Sequence, residues 1–166
     1  MKKVLFIAVM ALLGFGNLNA QEGAFNVGVN LGLPTGDASD ATSFAASLEA
    51  NYLFDITSEF KVGPSISYLH YFGKSDILGT GIDAEDASFL PLAAAGRFAA
   101  SDKFTLGVDL GYGFAISPEE LEGAFYYRPM IGYTINDSLM LQATFAAMTK
   151  EGETVSNFGI GIMYGL

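Results

Sequence analysis

The chain has 166 residues, 51% of them apolar but only 16% charged, with a formal net charge of −10 and no Cys. The length suits one domain, and the lack of cysteine excludes a disulfide framework and any thiolate metal or redox site. Eight basic residues against eighteen acidic ones leave no footprint for nucleic acid. The charge content falls below the roughly 25–35% that a water-exposed surface usually carries.

The first predicted element is an address. Lys2 and Lys3 precede an almost wholly apolar run from Val4 to Phe15, and Asn17-Leu18-Asn19-Ala20 leads into polar Gln21-Glu22. That order is the order of a cleavable secretory signal peptide. At about a dozen residues, the apolar run is too short to span a bilayer as a helix. Residues 1–20 are therefore read as signal peptide, with cleavage after Ala20, and residues 21–166 as one exported domain. Loss of Lys2 and Lys3 makes that domain more acidic still.

No apolar run of about twenty residues remains, which excludes spanning helices. What remains is alternation with a period of two, the signal of strands. Residues 24–33 set Phe25, Val27, Val29, Leu31 and Leu33 against Asn26, Gly28, Asn30 and Gly32. Residues 44–54, 60–72 and 88–98 continue the pattern, the last least regularly. Residues 104–116 are the clearest, with Phe104, Leu106, Val108, Leu110, Tyr112, Phe114 and Ile116 opposing Thr105, Gly107, Asp109, Gly111 and Gly113. Residues 124–135, 139–149 and 156–166 complete an even set of eight, each about as long as a tilted strand crossing a bilayer.

The faces can be assigned from charge. Within these segments the charged residues are Glu49, Lys61, Arg97, Asp109 and Arg128, and all lie on the less apolar face. An Arg or Lys facing lipid at mid-depth costs about 2–4 kcal/mol. The apolar face is therefore expected to meet lipid, with the charges and the small Gly, Ala, Ser, Thr and Asn residues filling a narrow lumen. An open sheet edge in hydrocarbon would leave backbone groups unpaired, so the sheet must close. Aromatic residues gather at the segment ends, as two interfacial girdles require. Residues 55–59, 99–103 and 136–138 read as tight turns. Residues 34–43, 73–87, 117–123 and 150–155 read as the longer connections of the opposite, outer end. Pro64, Pro91 and Pro129 fall inside segments, where each removes a ladder donor. They are expected at bulges or near strand ends.

With these features in place, the exported domain resembles the small outer-membrane β-barrel proteins of the OmpA/OmpX-like superfamily. The fold expected is all-β: a closed eight-stranded antiparallel transmembrane barrel. Phe158, Ile160, Ile162, Tyr164 and Leu166 alternate to the last residue and resemble the C-terminal signal read by the barrel-assembly machinery, although Leu166 stands where the family usually has Phe or Trp. The resemblance implies the outer membrane of a Gram-negative cell, contact with outer-membrane lipid and lipopolysaccharide, and a monomer. It does not select a function, because one barrel hosts many.

Three sets of residues bear on function. Glu49, Lys61, Arg97, Asp109 and Arg128 are expected to form ion pairs in the lumen, since unpaired charges buried there are costly. The reading this favours is a filled barrel with a structural or surface-interaction role, without catalysis or cofactor. A narrow channel or transporter of small or hydrophobic solutes is the alternative, with the ion pairs as its gate. A second alternative is an enzyme modifying lipid A, since some similar barrels use a His with a Ser and an acid. His70 is the sole histidine. It lies on the lipid-facing series beside Leu69, Tyr71 and Phe72, with no serine next to it in sequence, which leaves loop residues such as Ser75 as candidate partners. Finally, Asp37, Asp40, Asp76, Asp83, Glu85, Asp86, Glu119, Glu120, Glu122, Glu151 and Glu153 crowd the outer connections against Lys74 and Lys150. That oxygen-rich rim suits divalent cations, but no twelve-residue calcium loop or other metal motif is present.

Overall fold

The computed structural model describes residues 23–75, 83–118 and 121–166. The expected signal peptide, and Asp76, Glu119 and Glu120 of the acidic rim, lie outside them. Eight antiparallel strands follow in chain order: β1 (Gly23–Thr35), β2 (Thr42–Asp55), β3 (Phe60–Gly73), β4 (Ala87–Ala99), β5 (Phe104–Ser117), β6 (Ala124–Asn136), β7 (Leu139–Lys150) and β8 (Glu153–Gly165). Each pairs with its neighbours in sequence, and β8 pairs back onto β1, so the sheet closes. The closing ladder runs from Asn26 opposite Gly165 to Thr35 opposite Ser156. Beyond it, the Leu166 amide donates to the Phe25 carbonyl at 2.9 Å.

The faces are as the alternation predicts. Leu31, Leu48 and Ile160 are 60%, 60% and 66% exposed on the outer wall, whereas Asp109 and Arg128 are 1% and 3% exposed inside. Aromatic pairs band both ends of this apolar wall. Tyr52–Phe54 and Phe104–Tyr133 lie toward the end that holds both Gly23 and Leu166. Tyr112–Phe114, Phe44–Phe72 and Phe125–Tyr127 lie toward the other. The end that holds Gly23 and Leu166 carries the short turns and is the turn end; its opposite is the loop end.

Two connections at the loop end differ from expectation. Residues Ala38–Ala41 form one turn of helix, α1, closed by the Thr42 hydroxyl donating to the Ala38 carbonyl. The β7–β8 connection is a two-residue hairpin, not a longer loop. Glu151 and Gly152 both have positive φ, 53° and 95°, the conformation that lets two central residues follow the twist of the flanking strands.

The prolines also depart from expectation. None sits at the register shifts, which fall at Thr42/Phe44, Ser88/Phe89 and Thr134/Asn136. Each stays paired on one side, Pro64 with Ala94, Pro91 with Gly113 and Pro129 with Val108. On the other side the ladder skips two pairs and resumes in the same register. A proline removes only one donor, so the strand carries on through it and the segment limits hold to within about three residues.

Gly111 shows how tightly the wall is coiled. A Cβ there would collide with the Leu92 carbonyl and Ala93 backbone of β4. Gly111→Val is expected to cost about 3 kcal/mol, the upper range for overpacking. A lower urea midpoint for the heat-dependent gel shift of the refolded protein would show it.

Candidate functional site

The candidate site is the lumen at mid-height, and register explains how it assembles. Asp109 of β5 stands opposite Arg128 of β6, while Gly28 of β1 stands opposite Glu49 of β2. Alternation turns all three charged side chains inward, and an eight-stranded barrel is narrow enough for them to meet across its axis. Arg128 Nε and Nη2 donate to Asp109 Oδ2 at 3.0 and 2.6 Å. Arg128 Nη2 also pairs with Glu49 Oε2 from the far wall. Arg97 Nη1 donates to the second oxygen of Asp109 at 2.6 Å. The four groups form one chain, Glu49–Arg128–Asp109–Arg97, with two charges of each sign.

Neutral groups finish the acceptor side. Gln142 of β7 donates to Glu49 Oε1 and, at 2.8 Å, to Asn30 Oδ1. Asn30 Nδ2 in turn reaches Glu49 Oε1 at 3.1 Å and Ser47 Oγ at 3.2 Å. Sequence reasoning singled out the charges but not Asn30 and Gln142. Their inward position in the alternation was visible, but an uncharged amide gives no sign of which acid lies across the barrel.

Lys61 does not join this cluster. It pairs with Asp55 at 2.8 Å near the turn end, with both side chains more than 40% exposed. The expectation that it forms part of the lumen network is corrected. Asp55 ends β2 directly opposite Lys61 at the start of β3, so the nearer partner takes it. Arg97, opposite Lys61 on the next strand, reaches inward to Asp109 and is 5% exposed.

The lumen is divided along its axis. Toward the turn end a vestibule of about 230 Å³ is lined by Asn26, Asn51, Lys61, Arg97, Thr105 and Thr134, among others. On the loop side of the ion pairs, the void bounded by Asn30, Ser67, Tyr126, Arg128 and Asn157 is only about 10 Å³, close to the smallest space that holds one water. Above that lies an apolar layer of Leu69, Tyr71, Phe89, Tyr126 and Met148. The Tyr71 hydroxyl accepts from Asn157 Nδ2 at 2.8 Å. This layer was not anticipated: its large side chains occupy alternation positions read as small and polar.

At the loop end, His70 has neighbours the sequence did not reveal. It pairs across strands with Ser88, whose Oγ lies 2.8 Å from His70 Nδ1. Asp86 Oδ2 lies 3.3 Å from Nε2. No serine neighbours His70 in sequence; the one that adjoins it comes from the next strand. Among the acidic rim residues, Glu122 pairs with Lys150, and Lys74 Nζ donates to the Ser39 carbonyl at 2.6 Å. Among the described residues, no three His or acidic side chains gather as a metal site.

No family model matches the chain, and no curated protein matches it. Solved structures do. Ail, the attachment invasion locus protein of Yersinia pestis, superposes with a TM-score of 0.59 at 12% identity, over 88% of this chain and 99% of that one. Ail in complex with the heparin analogue sucrose octasulfate gives 0.60 at 15%, over the same shares. A de novo designed transmembrane β-barrel gives 0.54 at 11%, over 89% of this chain and 100% of the design. The chain has the fold of the small outer-membrane β-barrels. At these identities the likeness is one of fold.

Removing Arg128 leaves Glu49 and Asp109 facing each other without their shared cation. Arg128→Ala is expected to destabilise the barrel by about 3–5 kcal/mol, the usual cost of breaking a buried pair. Lys61→Ala, at an exposed pair, should cost about 0–1 kcal/mol. Denaturant unfolding in detergent micelles measures both, and equal midpoints for Arg128→Ala and wild type would refute lumen pairing.

Proposed function

We propose that this protein is an outer-membrane barrel whose filled lumen serves as a rigid mount and whose loop end faces the cell exterior in a structural or surface-interaction role. The observation that carries this reading is the void of about 10 Å³ beside Arg128, closed further out by Tyr71, Tyr126 and Met148. A lumen packed with paired charges and large apolar side chains is a fixed filling rather than a passage. It holds neither the sole His nor any Cys, so its acids and arginines have no nucleophile–base partner of that kind.

In this reading the protein is exported by its N-terminal segment and inserted by the barrel-assembly machinery. That machinery reads the outward row Phe158, Ile160, Ile162 and Tyr164 of β8, with Leu166 just beyond it, all exposed. The barrel then works as a monomer among outer-membrane lipid and lipopolysaccharide. The name of Ail, an attachment protein, accords with a surface role. Its sulfated ligand does not transfer by charge: Asp37, Asp40, Glu85, Asp86, Glu151 and Glu153 dominate the loop end here. Divalent cations bridging such carboxylates to anionic headgroups fit that rim better.

The vestibule of about 230 Å³ at the turn end favours the second reading, a narrow channel gated by the ion pairs. Planar-bilayer recording of the refolded protein separates the two. The filled-barrel reading expects a silent bilayer from protein whose folding is shown by its heat-dependent gel shift. Reproducible current steps that change in Glu49→Ala would replace it with the channel.

A further inference from the structure

The geometry points to a second site on the outer wall at the loop end: Ser88, His70 and Asp86 form a hydrolytic triad directed at carboxylic esters of lipids in the adjoining leaflet. This goes beyond the mounting role and uses none of the lumen residues.

The three groups stand in the order that nucleophilic catalysis requires. Ser88 Oγ is 2.8 Å from His70 Nδ1, and Asp86 Oδ2 is 3.3 Å from His70 Nε2. Asp86 is itself held, because its other oxygen accepts from the Gly73 amide at 2.8 Å. With the proton on Nε2, the nitrogen that faces Asp86, Nδ1 is the one that accepts the serine proton. The imidazole is oriented further by Phe72, edge-on at 4.4 Å between ring centres. The register shift at Ser88/Phe89 falls on the nucleophile itself. Bulges commonly re-aim a side chain in this way beside active sites.

Placement names the substrate class. His70 lies on the same outward face as Tyr68 and Phe72, which are 41% and 39% exposed on the lipid-facing wall, so whatever reaches Ser88 comes from the membrane. Ser88 is 5% exposed, and the Tyr68 hydroxyl donates to its oxygen at 3.1 Å. An incoming ester must displace that hydroxyl, which then stands beside the carbonyl oxygen as a donor for the charge developing there.

The step balances with water as the only co-reactant. Ser88 Oγ bonds to the ester carbonyl carbon while its proton passes to His70 Nδ1. The bond from that carbon to the alcohol oxygen breaks, and the leaving alcohol takes the proton from His70. Water then attacks the acyl-serine and gives its proton to His70. The carboxylic acid departs as that proton returns to Ser88 Oγ.

The test is covalent labelling of the refolded full-length protein in detergent micelles with an alkyl fluorophosphonate, read by mass spectrometry of the Ser88 peptide. Hydrolysis of a long-chain p-nitrophenyl ester is followed in parallel. Wild type is expected to label at Ser88. His70→Gln, with folding shown by the gel shift, should label at least about a hundredfold more slowly, within the range for loss of a general base. Asp86→Asn should slow it less. Ser88→Ala should abolish both signals, and if it does not fold, His70→Gln and the identity of the labelled peptide decide. Folded wild type that stays unlabelled, a label on another residue, or unchanged labelling in His70→Gln would each overturn the assignment and leave a hydrogen-bonded rim cluster only. A silent or conducting bilayer has no bearing on these outcomes.

Discussion

A strand crossing hydrocarbon has no water to which its backbone N–H and C=O groups can turn, and each unsatisfied group there costs several kcal/mol. Closure of the sheet is therefore the condition for everything else in this molecule. The β1–β8 ladder meets it without an open edge. Closure with eight strands then leaves an interior just wide enough for side chains. Residues from opposite walls, such as Glu49 and Arg128, consequently meet directly.

The lumen chemistry follows from that narrowness. Four charges in a space of low polarity must pair or not be charged at all. Here Arg128 joins Glu49 to Asp109, Arg97 holds the other Asp109 oxygen, and Asn30 and Gln142 satisfy Glu49. Replacing buried ion pairs by apolar groups is often no loss of stability. Their retention here suits a register device, because a strand slipped by one residue would turn its charge toward lipid. The small residues have a matching role: Gly107 leaves the space that the Arg97 stem and Met130 occupy.

The two ends of the barrel differ in the same physical terms. The turn end keeps an open polar vestibule, and Lys61 there finds a partner in the neighbouring strand. The loop end is closed inside by Tyr71, Phe89, Tyr126 and Met148 and is acidic at its rim. The connections there carry the freedom to vary that function uses. The polar constellation on the wall beside them, built on Ser88, His70 and Asp86, belongs to the strand ends and the bulge rather than to a loop tip.

The period-two pattern by itself determined the strands, their number, the face each residue takes and the wall that meets lipid. It could do so because a pleated strand sends successive side chains to opposite sides whatever its partners are. Thus Asp109 and Arg128 were legible as lumen residues, and Ile160 and Tyr164 as outward ones. What only the tertiary structure decided was who meets whom. Arg97 reaches inward while Lys61 stays with Asp55; Gln142 joins Glu49 from the far side of the barrel; Ser88 comes to His70 from the next strand; large apolar groups close the outer lumen. The physical reason is that alternation is a local property of the backbone. Contacts across a closed barrel depend instead on register, stagger and closure, which no single segment carries.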